Sequence, residues 1–212
     1  MSQAPPFALL LYFADPMCSW CYGFGPALSH FAQAHPELRL ALVMGGLRPY
    51  TKEPMMPAQK QQIREHWQHV QEASGQIFND ALLMQEGFVY DTEPASRAVV
   101  TARSMPAADD LAFLNAIHAA FYRDARDVTR TGILADIAAE NGFDRATFLA
   151  ALESVEMRDA VRRDFSLAQS LGVRGFPTLC ARQGKQLQMI ASGYAPVATI
   201  ELRFRQLLAE IA

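Results

Sequence analysis

The chain has 212 residues, half of them hydrophobic and 19% charged, with a net charge of −3 at pH 7. These values fit one large domain, or a small domain carrying a sizeable insertion, and offer no basic surface for nucleic acid or an anionic membrane. Three cysteines are too few for a secreted disulfide scaffold.

The first apolar run, Phe7-Ala8-Leu9-Leu10-Leu11-Tyr12-Phe13, reads as a buried strand. It shares apolar character with a signal peptide. However, no basic residue precedes it, it is about half as long as a spanning helix, and no Ala-x-Ala-like site follows. A strand in a cytoplasmic protein is the expectation. Next comes Asp15-Pro16-Met17-Cys18-Ser19-Trp20-Cys21-Tyr22-Gly23-Phe24-Gly25-Pro26, then Ala27, Leu28, Phe31 and Ala32 at helical spacing. Cys18 therefore sits where a strand hands over to a helix. The free N–H groups of the first turn should point at its sulfur and favour thiolate over thiol. Cys21, one turn on, is placed to close a disulfide with it.

Leu38 to Met44 alternates as a second strand, which completes a β-α-β unit with parallel strands and a right-handed crossover. Gly45-Gly46-Leu47-Arg48-Pro49 breaks the pattern. From Pro57 to about Leu171 the text is helical. Pro57 opens a polar helix that runs through Gln59 to Ser74 and stops at Gly75. Pro94, after Thr92, opens a second, running to about Ser104. Leu111, Leu114, Ile117 and Phe121 stripe a third. Thr131 is placed to cap a fourth, with Leu134, Ile137 and Ala138, that stops near Gly142. Asp144 is placed to cap a fifth with Phe148 and Leu152, and Val161, Phe165 and Ala168 mark a sixth ending at Gly172. The period then returns to two. Gly175 to Ala181, a turn at Gln183-Gly184-Lys185, and Gln186 to Ala191 form a β-hairpin. Gly193 ends it, and Pro196 opens a last helix with Ile200, Leu207, Leu208 and Ile211.

The CxxC pair has two bland readings, half a zinc site or two inert core thiols. A closed zinc site needs four ligands, and no second CxxC or Cys/His pair stands at ligand spacing. His66 and His69 flank Trp67 and Gln68 on the polar helix and read as solvated residues. Redox chemistry is the stronger reading, because context and spacing agree. Trp20, between the cysteines, is read as part of a substrate-facing rim. Arg48 is by default a surface arginine, and its alternative role is contact with an anionic substrate group.

The order β-α-β, helical insert, β-β-α, with CxxC opening the first helix and a proline opening the third strand, resembles the thioredoxin fold. The long insert is similar to that of the DsbA-type thioredoxin family. The closest likeness is to predicted bacterial protein-disulfide isomerases with an Asp-Pro-x-Cys-x-Trp-Cys-Tyr-Gly motif, here Asp15 to Gly23. Gly45-Gly46-Leu47-Arg48, Thr92-Glu93-Pro94-Ala95 and Gly175-Phe176-Pro177-Thr178 extend the likeness over essentially the whole chain.

The resemblance implies a discontinuous thioredoxin-fold domain, residues 1–56 with 172–212, around a helical insertion of residues 57–171. It implies that Cys18 is the nucleophile and Cys21 the resolving thiol. It also implies a cis bond before Pro177, which packs beside the CxxC, and a Phe176 backbone that pairs with an extended peptide or glutathione. No cofactor is implied beyond the redox-active pair, with glutathione a candidate co-substrate. The partners are protein or small thiol and disulfide substrates, and oligomeric state stays open. Relatives often carry a buried acid six residues before the first cysteine. Tyr12 stands there, and Asp15 is the nearest carboxylate. Cys180, three residues beyond Pro177, is about 10 Å along the strand and on its other face, so it reads as a buried small hydrophobe.

The leading expectation is a thiol–disulfide oxidoreductase or isomerase. Two alternatives stand beside it. One is a glutathione-dependent enzyme of the kappa-class transferase or 2-hydroxychromene-2-carboxylate isomerase type, which typically has serine at the first position. The other is a non-catalytic peptide- or metal-binding relative.

Overall fold

A computed structural model of the protein describes residues 9–106, 109–184 and 186–210. Within them the elements run β1 (Leu9–Ala14), α1 (Ser19–Ala34), β2 (Arg39–Met44), α2 (Pro57–Ser74), α3 (Glu93–Arg103) and α4 (Asp110–Tyr122). They continue α5 (Thr131–Glu140), α6 (Arg145–Leu152), α7 (Val155–Ser170), β3 (Thr178–Gln183), β4 (Gln186–Ser192) and α8 (Val197–Glu210). Phe7 and Ala8 of the first expected strand, Lys185 of the hairpin turn and Ile211 of the last helix lie outside the described residues.

The sheet order is β2-β1-β3-β4. β1 runs parallel to β2, with Leu10 opposite Leu40, and antiparallel to β3, with Leu11 opposite Cys180. Between β3 and β4 the register shifts at Leu179/Cys180. Alternation along β1 sends side chains to two buried layers. Leu10, Tyr12 and Ala14 join Leu28 and Phe31 of α1 and Ile200 and Phe204 of α8. Phe13 faces the other way, with Val43, Cys180 and Ala168 of α7.

The outer edge of β2 would leave backbone groups unpaired, and side chains answer them. Asp164 of α7 accepts from the Met44 N–H at 2.9 Å, and Arg103 of α3 donates to the Leu42 carbonyl at 2.7 Å. The two side chains also pair bidentately, both contacts at 2.9 Å. One ion pair thus ties α3 and α7 to the sheet.

Helix ends follow the punctuation in the sequence. Pro57 occupies the first turn of α2, and Gly75 ends it at φ +73°. Asp144 caps α6 by accepting from the Thr147 N–H. Three expectations shift. Thr131 does not cap α5: Arg130 holds the cap position, and the Thr131 hydroxyl bonds Glu153 instead. β3 starts at Thr178 rather than Gly175, because the Thr178 hydroxyl bonds the Gly175 carbonyl at 2.8 Å and closes a turn around Pro177. α2 is less solvated than its polarity implies: Trp67 and Val70 are buried, and the Trp67 ring packs on Phe78, Phe121 and Tyr122. Tyr22 of α1 stacks on Tyr122 at 5.0 Å, so the CxxC helix is fastened directly to the insert.

Candidate active site

Cys18 is the cap residue of α1, with an extended backbone (φ −95°, ψ 116°). The turn Asp15-Pro16-Met17 delivers it there, closed by a Cys18 N–H bond to the Asp15 carbonyl at 3.0 Å. The Cys18 thiol makes no bond to the first-turn N–H groups expected to face it. It donates instead to the Phe176 carbonyl, Sγ to O 3.5 Å. A thiol carries a proton to give, and the nearby carbonyl is an acceptor. Cys18 is 6% exposed and Cys21 fully buried, both as free thiols. Burial pushes the Cys21 thiol up, with Cys18 alongside and the Asp15 charge adding to the rise.

Asp15 is a fully buried strut. One carboxylate oxygen accepts from the Met17 N–H at 2.9 Å, and the other from the Leu47 N–H at 2.7 Å. It therefore locks the CxxC turn to the loop after β2. Burial raises its pKa to about 6, while the two backbone bonds and the Thr92 hydroxyl hold it down. Thr92 also accepts from the Arg48 N–H at 3.1 Å, so three motif stretches far apart in sequence meet around one carboxylate. On the far side, buried His118 faces the Asp15 carbonyl through Nε2 at 3.3 Å. A carbonyl only accepts, so Nε2 carries the proton, and Nδ1 has no partner. Burial depresses the His118 pKa to about 4. Tyr12 is buried with its hydroxyl unbonded, and burial together with the two cysteines pushes it up.

Phe176 and Pro177 are joined by a cis peptide, and Pro177 is buried. The Phe176 ring lies over Gly45, where an added Cβ would come within 1.9 Å of it, so this close approach requires glycine. Gly46, at φ +72°, lies under the ring of Phe165. Together they floor an open groove of about 360 Å³ walled by Phe165, Val173, Phe176 and Leu47, with Arg174 at its edge. Tyr50 stands beside it, its ring 6.4 Å from that of Phe165. Its φ of +65° is strained for a bulky residue, by roughly 1–3 kcal/mol, and a bond from its N–H to Asp91 at 2.7 Å helps to hold it. A larger cavity, about 770 Å³, lies elsewhere, where Arg39, Arg103 and Asp110 line the β2 edge.

The structure thus brings Cys18, Cys21 and Phe176 together. Trp20 is half-buried, its ring near Tyr194 and His66. Arg48 lies over the Tyr90 ring at 5.5 Å. His69 is exposed, and among the described residues no three His, Cys, Asp or Glu side chains gather as a metal site. Cys180 is buried in the layer opposite the CxxC, its sulfur 3.9 Å from that of Met189. Sequence reasoning missed His118, although it falls one turn after Leu114 on the apolar stripe of α4. It also missed the strained Tyr50, for which no residue pattern gives a signal.

Several solved structures are similar to the chain. One is titled a "putative protein disulfide isomerase" from Nitrosomonas europaea: 33% identity over 96% of this chain and 98% of that one, TM-score 0.90. Another is the cytosolic disulfide reductase DsbM from Pseudomonas aeruginosa, also solved with GSH: 26% identity, 96% and 100% coverage, TM-score 0.80. A 2-hydroxychromene-2-carboxylate isomerase shares the fold at 15% identity, 96% and 99% coverage, TM-score 0.68. No curated protein matches the chain. Residues 10–205 match the DSBA-like thioredoxin domain model, and the chain belongs to that family of thiol–disulfide oxidoreductases.

Proposed function

We propose that the protein is a cytoplasmic thiol–disulfide oxidoreductase working through Cys18 and Cys21, as a reductase or isomerase. The observation that carries this reading is the Cys18 thiol at the start of α1, 3.5 Å from the Phe176 carbonyl, with Cys21 buried one turn behind. The Cys18 thiolate attacks a substrate disulfide. The substrate S–S bond breaks, a Cys18–substrate disulfide forms, and the departing thiolate takes a proton. The Cys21 thiolate then attacks Sγ of Cys18 and releases the second substrate thiol. Two electrons pass from the dithiol to the substrate, and an external thiol such as glutathione restores the pair.

The Phe176 backbone and Pro177 flank the sulfur that is attacked, and the half-buried Trp20 forms the opposite rim. At pH 7 Asp15, with its pKa near 6, is ionised, and its charge opposes loss of the Cys21 proton, which passes to solvent. The direction of reduction and the cytoplasmic setting are supported by the likeness to a cytosolic disulfide reductase, and by a reducing cytosol.

The test is a trap. Cys21→Ser should accumulate a mixed disulfide on Cys18 when mixed with a disulfide peptide, seen as one added peptide mass. Cys18→Ser should take up none. Uptake on Cys18→Ser, or turnover undiminished in Cys21→Ser, would move the glutathione-transferase reading to the front.

A further inference from the structure

Three buried polar atoms among the described residues lack a hydrogen-bond partner, and one of them, the Tyr12 hydroxyl, borders the reacting sulfurs. Tyr12 is buried and points from β1 toward α1, in the layer that holds Cys18 and Cys21. Its ring lies 5.8 Å from that of Phe24, which follows Cys21 by one helical turn, and both Cys21 and Phe24 are fully buried. The hydroxyl thus ends beneath the first turn of α1, with Cys21 within its hydrogen-bonding reach. A buried hydroxyl without a partner is costly, and a phenylalanine ring would fill the same space without that cost. The resting thiols do not supply the missing partner, because a thiol sulfur is a weak acceptor. A thiolate is a strong one.

Cys21 needs such a donor. Burial, the Cys18 sulfur and the Asp15 carboxylate all oppose its thiolate, and against them stands the Asp15 N–H, which bonds it. We propose that the Tyr12 hydroxyl is a second donor to the Cys21 thiolate, and so a catalytic group in disulfide closure. The inference rests on the exchange reading above and adds a residue to it. When Cys21 loses its proton to solvent, the Tyr12 O–H turns to the new charge. Tyr12 keeps its own proton, because burial and the two cysteines push its pKa up. The thiolate attacks Sγ of Cys18, the Cys18–Cys21 bond forms and the Cys18–substrate bond breaks. The departing substrate thiolate carries away the electron pair, and the Tyr12 hydroxyl is left without a charge to bond. In reverse, the same hydroxyl stabilises Cys21 as the leaving thiolate, so both directions gain equally and the equilibrium stays where it was.

The experiment is Tyr12→Phe in the full chain, mixed with glutathione disulfide and followed by acid quench and thiol labelling. Capture of the probe by Cys18 is the step that rises with probe concentration, and closure by Cys21 is the limit at high concentration. Losing the donor leaves less Cys21 thiolate, while the thiolate that remains is the better nucleophile. At pH 7 closure should therefore slow about three- to tenfold. Capture should be unchanged, and opening of the oxidised pair by glutathione should slow by the same factor as closure. Tm should not fall, because the lost hydroxyl has no partner in the resting protein. 3-Fluorotyrosine at position 12 keeps the ring and is a stronger donor, so it should quicken closure, and it stands in if Tyr12→Phe does not fold. Closure at the wild-type rate in Tyr12→Phe would overturn the proposal, as would a failure of 3-fluorotyrosine to quicken it. Capture, closure and Tm all falling together would also overturn it, since Tyr12 would then be a packing residue. If the wild-type protein forms no Cys18–Cys21 disulfide, the exchange reading falls first and the role of Tyr12 with it.

Discussion

Asp15 and His118 are two buried titratable groups on either side of one carbonyl, and they pull stability in opposite directions with pH. The Asp15 pKa rises from 3.8 to about 6 on burial, so the folded state binds its proton more tightly. The stability this gives is fully present below pH 3.8 and is lost as pH climbs through 6. The His118 pKa falls from 6.5 to about 4, so the folded state binds its proton less tightly. The stability associated with its neutral form is present above pH 6.5 and is lost as pH falls through 4. At 1.36 kcal/mol per pK unit each shift corresponds to roughly 3 kcal/mol, and across pH 4 to 6 the two nearly cancel.

Removing one uncovers the other. Relative to wild type, His118→Gln should lose about 2–3 kcal/mol of unfolding free energy between pH 4 and 6.5, and Asp15→Asn should gain about 2 kcal/mol over the same range. Gln keeps a donor for the Asp15 carbonyl. The Asn amide leaves Met17 or Leu47 without its acceptor, a cost of about 1–3 kcal/mol that does not vary with pH. Urea unfolding at half-unit pH steps, followed by the buried Trp67, measures both difference curves. Parallel curves for mutant and wild type would refute the reasoning, because neither group would then titrate differently on folding.

Asp164→Ala removes the acceptor of the Met44 N–H and strands Arg103, so it should cost about 3 kcal/mol. Calorimetry should then show Tm lower by about 6–12 °C. Gly45→Ala drives a methyl into the Phe176 ring. The ring is half-buried and free to swing outward, so stability should fall by only about 1–3 kcal/mol while reduction of a disulfide peptide drops by tenfold or more. Equal losses in both would mean that ring position is unimportant to the site. Because burial pushes the Cys21 thiol up, closure of the Cys18–Cys21 disulfide from a mixed disulfide should accelerate about tenfold per pH unit between pH 6.5 and 8.5 in quenched-flow thiol labelling. Cys180→Ala should leave all these rates unchanged, since Cys180 sits in the other layer of the sheet.

Most of the framework was legible because the local signals agree with the global packing. The switch of hydrophobic period near Gly175 and the glycines at positions 75 and 172, both at positive φ, marked the return to strand and the ends of α2 and α7. The CxxC stood out because its spacing and its place between a strand and a helix pointed the same way. What sequence could not show was contact between distant stretches. Asp15 accepts from Leu47, and Gly45 is glycine because a ring from residue 176 lies on it; both depend on tertiary approach. Thr131 failed as a cap for the same kind of reason: Glu153, distant in sequence, takes its hydroxyl. The direction of the Cys18 thiol was also beyond reach, since it depends on where the Phe176 carbonyl falls.

The measurement that bears most directly on the central claim is the redox equilibrium of Cys18 with Cys21 against glutathione, read by thiol labelling and by the fluorescence of Trp20 between them. The account predicts one reversible two-electron transition, abolished by Cys21→Ser and untouched by Cys180→Ala. If no intramolecular disulfide forms at any ratio of oxidised to reduced glutathione, the dithiol mechanism is wrong and these two cysteines serve some other purpose.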